Sequence, residues 1–293
     1  METRLFLVVI VFFILPACFV DAASTTADKE EQIDNKATIT ILVDDAYKPF
    51  SYLEDKQVRG LYSDILRAAS QNIPDFNIEL KAIPWERGKH LVKTGAELAI
   101  APVFFHGHDW PYLYPYSIPL YREDVALICN TKVKQSNSRK WPAGYTEFSI
   151  GNMRGFDGWG GLEFRELVEQ KSISYQEVGS AEQLILMVAM GRVDCILMEE
   201  FAFAYHMRII RESNDIDSRG HLALFTAEIV GSDYTYVGYS EAAISSGKFP
   251  NQYEFRKALD IALYKMHKSG ELSLVISKSK RRYSGTPLSA PSY

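Results

Sequence analysis

Gly95-Ala96-Glu97-Leu98-Ala99-Ile100-Ala101-Pro102-Val103 is the stretch on which the fold turns, and the aromatic segment Phe104-Phe105-His106-Gly107-His108-Asp109-Trp110 continues it. Leu98 to Ala101 reads as the last strand of a regular succession. Working backwards, a helix is predicted over Trp85 to Lys93 and a strand over Ile78 to Ile83. Before them comes a helix from about Ser63 to Asn72, with Ile65, Ala68 and Ala69 inward. The opening strand is Ala37 to Val43, closed by the turn-prone pair Asp44-Asp45. A β-α-β-α-β alternation of this kind predicts a mainly parallel sheet covered by helices.

From Asp124 the alternation restarts. Strands are predicted over Val125 to Cys129, Phe148 to Asn152, Tyr175 to Val178 and Val193 to Met198. The helices between and after them are Leu162 to Gln170, Ala181 to Met190 and Glu200 to Arg211. Ser180 and Gln183 form a capping box before the second of these helices. The polar loop Thr131 to Gly144 is expected outside the core. A strand over Tyr234 to Tyr239 leads to a periodic helix with Phe255, Leu259, Ala262, Leu263 and Met266 on one apolar face, and Gly270 is placed to end it. Two α/β blocks with a C-terminal helix returning to the first predict two lobes. Residues 36–122 and 240–293 would form one, and 123–239 the other.

The amino terminus carries one cation, Arg4, then an apolar run from Leu5 to Leu15 and the small-residue end Val20-Asp21-Ala22. The run is short for a bilayer span and suits a secretory signal, residues 1–22, followed by a polar leader, 23–35. The expected mature chain is periplasmic. An alternative takes Leu15-Pro16-Ala17-Cys18 as a lipobox with Cys18 acylated, although proline is unusual there. Arg4, Glu2 and Asp21 leave with the signal, so 31 basic face 35 acidic side chains. That balance argues against nucleic acid or an anionic membrane as partner. Cys129 and Cys195 each sit in an apolar β-like run. They fit either as small apolar side chains or as a bridge formed in an oxidising compartment.

Four segments carry a family resemblance. Asp45 to Tyr52 resembles an opening "P-P-F-s-y" segment, Gly60-Leu61-Tyr62-Ser63-Asp64 its "G-f-d-v-D" continuation, and Pro84-Trp85 through Gly95 a "P-W" helix. Gly191-Arg192-Val193-Asp194-Cys195-Ile196-Leu197-Met198-Glu199 resembles a second-lobe "G-R-V-D-a-i-v-x-D" strand. In this order and spacing they resemble extracellular solute-binding protein family 3, the periplasmic polar amino-acid-type binding proteins of ABC transporters. The resemblance implies the two-lobe periplasmic binding protein type II fold, α/β, each lobe a mainly parallel sheet flanked by helices and joined by a hinge.

The resemblance also implies a site. Gly95 to Val103 would be its ligand-contacting turn, with Pro102 in it. There the family presents a Thr and an Arg to an α-carboxylate, and an ungapped reading puts Phe104 and Asp109 at those positions. Ordinary α-amino acids are therefore expected to bind poorly. Glu199 matches the acid that takes a ligand amino group. Arg154, Gly155 and Phe156 fall in the turn whose amides receive a carboxylate. Tyr47, Phe50, Tyr52 and Trp85 border the cleft, where a ring can stack on a flat group or hold a cation. Each of these residues has a structural reading beside the functional one: the aromatics as first-lobe core, Asp109 as a solvated loop acid, Arg154 as a surface ion pair. Arg122 reads as a hinge residue. His106-x-His108-Asp109 lacks the further ligands a metal site needs, Ser245-x-x-Lys248 lies in a polar loop, and no P-loop or dinucleotide fingerprint is present.

The sequence thus predicts a non-enzymatic monomer without cofactor. It would close over a small polar solute and work with an inner-membrane ABC permease, or in trans with a membrane sensor. A dehydratase-like enzyme on the same scaffold is the remaining alternative, with Glu199 or Asp109 as acid or base.

Overall fold

A computed structural model describes residues 1, 36–105, 107, 110–133, 139–154, 160–213 and 223–285. The predicted signal, leader and lipobox cysteine lie outside the described residues. So do His106, His108, Asp109, Gly155 and Phe156.

The chain from Lys36 opens with β1 (Ala37–Asp44) and a small antiparallel ribbon of β2 (Ala46–Tyr47), β3 (Ser51–Glu54) and β4 (Gln57–Arg59). It continues through α1 (Leu61–Gln71), β5 (Phe76–Ile83), α2 (Trp85–Lys93) and β6 (Ala99–Phe104). β7 (Leu113–Tyr116) precedes the long β8 (Tyr121–Asn130). After that come β9 (Ser149–Met153), α3 (Gly161–Glu169), β10 (Ser174–Val178), α4 (Ala181–Ala189), β11 (Cys195–Glu199) and α5 (Glu200–Glu212). A strand of 17 residues, β12 (Leu224–Ser240), returns the chain to α6 (Glu241–Ser245), α7 (Gln252–Ser269) and α8 (Glu271–Ser284).

The main sheet runs β10-β9-β11-β8-β12-β6-β1-β5, with β7 paired to β12. Its two ends are parallel triplets, β10-β9-β11 and β6-β1-β5, as expected from the alternation. The middle is different. β8 and β12 pair antiparallel with each other from Asn130↔Leu224 to Tyr121↔Thr235, and antiparallel with β11 and β6 respectively. Two long strands therefore carry the chain from one triplet to the other and back. Helices cover the triplets because their apolar faces match the sheet: α7 buries Phe255, Leu259, Ala262, Leu263 and Met266, and Gly270 at φ 79° closes it.

Several boundaries move. α1 begins at Leu61, two residues before the prediction, which adds Leu61 and Tyr62 to its buried face. β6 runs from Ala99 on through Pro102 to Phe104, paired with β12, so of the stretch read as a contacting turn only Gly95 to Leu98 lies outside the strand. Ser180 Oγ accepts from Gln183 N at 3.2 Å and caps α4. Cys129 and Cys195 face each other in the β8–β11 register and are joined as a disulfide, Cα to Cα 4.0 Å, so the bridge is the reading that holds.

Candidate functional site

The ribbon β2–β3 places Tyr47 and Phe50 at the edge of the first triplet. Phe50 is fully buried and stacks on Tyr47 at 4.8 Å between centroids. The next segment is held hard against it. A Cβ on Gly60 would lie 2.4 Å from the Phe50 carbonyl oxygen, and Gly60 adopts φ 114°, so both space and conformation require glycine. α1 then turns Tyr62 inward, with its ring 5.7 Å from that of Phe50.

The crossing strand supplies the next pair. Successive side chains of a strand point to opposite faces, so Tyr121 and Glu123 share the buried face of β8, while exposed Arg122 looks the other way and ion-pairs with Asp124 at 3.1 Å. From the junction of β11 and α5 come Glu199 and Phe201, both buried. Phe201 meets Phe50 edge-on at 5.4 Å, and Tyr121 lies 6.3 Å from Phe50. Phe50 is thus packed by rings from the first triplet's side, from the crossing strand and from the second triplet's side.

Two carboxylates anchor these rings. Tyr47 donates its hydroxyl to Glu123 Oε2 at 2.8 Å, and Tyr62 donates to Oε1. Thr235 Oγ1, on the returning strand, lies 2.9 Å from the Tyr62 hydroxyl. Tyr121 donates to Glu199 Oε1 at 3.2 Å, and Ala202 N donates to Oε2 at 2.9 Å, so Glu199 caps α5 as well. Burial pushes Glu123 up to about 7, because an ionised carboxylate loses its water there, and the Tyr hydroxyls only partly offset this. Glu199 is pushed up to about 8, first by burial and then by the neighbouring charge of Glu123. Burial also holds the hydroxyls of Tyr47, Tyr62 and Tyr121 well above the ordinary tyrosine value. A pair of acids poised near neutrality can accept hydrogen bonds from a bound polar group, or give up a proton to it, as conditions require.

The sequence-derived residues divide. Tyr47, Phe50 and Glu199 belong to this cluster. Phe104 is half-buried and pairs across the strands with Thr235, so its side chain shares the cluster's face of the sheet. Tyr52 is buried in the same core but makes other ring contacts: its ring lies 6.2 Å from Tyr283 and takes the Lys48 ammonium at 5.2 Å. Trp85 packs 6.3 Å from Trp110 beside a separate apolar group of Leu42, Ile83, Val92, Ile100, Val103 and Leu113. Pro102 is a buried strand residue, and Arg154 is exposed at the end of β9, its backbone N donating to Val178 O at 2.9 Å. Lys248 donates to Ala96 O at 2.6 Å, which gives it a structural partner outside any Ser/Lys pair. Among the described residues no group of three or more His, Cys, Asp or Glu could hold a metal ion.

Tyr62, Tyr121, Glu123, Phe201 and Thr235 were not singled out by sequence. The strand period through Tyr121-Arg122-Glu123 is a signal that finds two of them, since it sets the outer residues on one face and the arginine on the other.

No protein-family model matches the chain, and no curated protein sequence does. Solved structures match over most of its length. A histidine kinase sensor domain with similarity to periplasmic binding proteins aligns with a TM-score of 0.60 at 13% identity, over 84% of this chain and 97% of that one. The fold is that of the periplasmic binding proteins. The second substrate binding domain of a putative amino acid ABC transporter from Streptococcus pneumoniae aligns at 0.57 and 14% identity, over 82% of this chain and 99% of that one. The ancestral amino acid-binding protein AncCDT-1, a precursor of cyclohexadienyl dehydratase, aligns at 0.57 and 14%, over 83% and 95%. The two parallel triplets are linked by the crossing strands β8 and β12, and the ring-and-carboxylate cluster draws on residues from β8 and from either side of them. No helix among the described residues is long and apolar enough to cross a membrane.

Proposed function

We propose that this chain is a periplasmic solute-binding protein that takes a small polar solute between lobe 36–122 with 240–293 and lobe 123–239, without changing it chemically. The observation that carries this reading is the single cluster in which Phe50 touches Tyr121 and Phe201 while Glu123 and Glu199 face it from the hinge strand and the second lobe. A ligand touching both lobes shifts the population toward the closed arrangement. Export through residues 1–22 and delivery to an inner-membrane ABC permease complete the proposal. With Phe104 on the site's face in place of a Thr clamp, ordinary α-amino acids are not its ligands. A thermal-shift screen of metabolites, repeated on Glu199→Gln, tests the reading, because a solute selective for the folded state raises the melting temperature. A solute whose stabilisation is unchanged in Glu199→Gln would place its site elsewhere.

A second reading, reporting of occupancy to a membrane partner, is favoured by the way the lobes are tied. Arg208 on α5 donates its Nε to the Tyr283 carbonyl on α8 at 3.0 Å, and the Tyr283 hydroxyl accepts from Gly60 N at 3.0 Å. Opening the cleft breaks the first of these bonds and so changes a surface that a partner can read.

A further inference from the structure

Lys280 lies on α8, a helix of the first lobe that packs against α1 and α7 and reaches across to α5. Its ammonium sits 4.8 Å from the centroid of Tyr121 and 5.6 Å from that of Phe201. Those two rings carry the hinge-strand and second-lobe parts of the cluster. A ring face attracts a cation through its quadrupole, more strongly where water is excluded. The same charge acts on Glu123 and Glu199, holding both carboxyls lower than burial alone would set them. The cluster therefore already contains one organic cation, supplied by the chain itself.

Its chemistry suits an organic cation better than a metal ion. Each oxygen of both carboxylates accepts a hydrogen bond from a tyrosine hydroxyl or from the α5 amide, and the walls are rings, whereas hard metal ions need six or more oxygen ligands. The occupant is also easily removed. Lys280 is half-buried, and a lysine on its four-carbon stem can carry its ammonium out to water while the stem stays on apolar surface. Phe50 and Phe201 are locked by packing on all sides and have no such exit.

We propose that Lys280 is a tethered occupant of an organic-cation site, holding the place over Tyr121 and Phe201 that the ammonium group of a solute takes when it enters the cluster. This rests on the solute-binding reading and gives its ligand a chemical class: a small quaternary or primary ammonium compound without an α-carboxylate. Lys280 then sets a threshold, since any solute must be attractive enough to displace it.

The test uses choline as cation, 3,3-dimethyl-1-butanol as its uncharged isostere, and the whole chain as wild type, Lys280→Met and Lys280→Arg. Lys280→Met keeps the apolar stem and removes the competitor, so choline should bind it about tenfold or more tightly than it binds wild type, the factor expected from about 1.4 kcal/mol of lost competition. Lys280→Arg should behave as wild type, and the alcohol should bind none of the three. Equal choline affinity in wild type and Lys280→Met, or equal binding of the alcohol, overturns the proposal. Should Lys280→Met not fold, the wild type serves alone: the Cε protons of Lys280 should be shifted upfield by the rings, and choline should return them toward the free-lysine position. Unmoved resonances under saturating choline overturn it equally. The two levels of the reading fail differently. A neutral or anionic solute that Glu199→Gln weakens and Lys280→Met leaves unchanged removes the cation site and keeps solute binding. Absence of any solute response in the screen and of any choline response in all three proteins removes both.

Discussion

Tyr121 donates its hydroxyl to Glu199 Oε1 at 3.2 Å while Ala202 N donates to the other oxygen at 2.9 Å, so one buried acid ties β8 to the start of α5. The acid thus has a structural duty beside the binding role proposed for it. The two duties separate by chemistry, because the cap needs an acceptor oxygen whereas a cationic solute needs a charge.

Glu199→Gln keeps an acceptor for Ala202 N and removes the capacity to ionise. Since Glu199 is pushed up to about 8, it is largely protonated at pH 7 and the amide is a near match for it. The melting temperature at pH 7 should therefore stay close to wild type, while affinity for a cationic solute, whose charge would draw Glu199 into its ionised form in the complex, falls by about 1 to 3 kcal/mol, the range for a lost charged hydrogen bond. Glu199→Ala removes the cap too and should cost about 1 to 2 kcal/mol of stability. Calorimetry of both variants checks this. Unaltered affinity in Glu199→Gln takes Glu199 out of the binding site.

Stability should depend on pH in an unusual direction. Glu123 and Glu199 titrate at about 7 and about 8 in the folded chain, above the 4.5 of an unperturbed glutamate. The folded state holds these protons more tightly, so their contribution is fully present below pH 4.5 and is lost as pH rises through the folded values. Each group can contribute a slope on the order of 1 kcal/mol per pH unit inside that window. Glu182 acts oppositely but elsewhere: the hydrogen bond with His206 holds it down at about 2, so its contribution is present above 4.5 and lost only in acid. Denaturant melts of wild type should weaken from pH 5 to pH 8, and those of Glu123→Gln/Glu199→Gln should stay flatter. An equal slope in both would show that other groups govern it.

The parallel triplets and their helices were legible because each repeats an apolar face at a fixed period, as α7 does. β12 was legible only from Tyr234 onward. Its first ten residues are half-buried or exposed and pair with β8 without any apolar run to announce them. In Tyr121-Arg122-Glu123 the charge of the arginine drew the reading, whereas burial selected its neighbours. Lys280 left no trace at all, since on an amphipathic helix it reads like the exposed Lys278 beside it. The cysteine pairing was hidden for a different reason. Spacing says nothing of register, and only the pairing of β8 with β11 sets position 129 opposite 195.

That bridge closes a separation of 66 residues and joins β8 to β11. Constraining a loop of this length in the unfolded chain stabilises by about 4 kcal/mol at most on the chain-entropy account. Cys129→Ala/Cys195→Ala should lose about 2 to 4 kcal/mol by denaturant melts. Solute affinity should hold, because the bridge lies at the opposite end of the β8–β11 pairing from Glu199. Mass spectrometry of the unreduced chain showing two free thiols would remove the bridge and the prediction together.

The tie between α5 and α8 gives the last expectation. Tyr283 is fixed to the start of α1 through its hydroxyl and to α5 through its carbonyl, where Arg208 Nε donates at 3.0 Å. Arg208 is itself aimed by Glu212, whose two oxygens accept from its Nη1 at 2.8 and 3.0 Å. Arg208→Ala leaves Tyr283 bonded to Gly60 and frees α5 from α8. The loss of one charge-assisted hydrogen bond at a partly exposed site is worth about 1 kcal/mol, enough to move a two-state opening equilibrium roughly fivefold without unfolding either lobe. The radius of gyration by small-angle scattering should rise, and solute should associate faster while dissociating faster still. An unchanged radius with a lower melting temperature would mean that Arg208 holds α5 in place and does not govern opening.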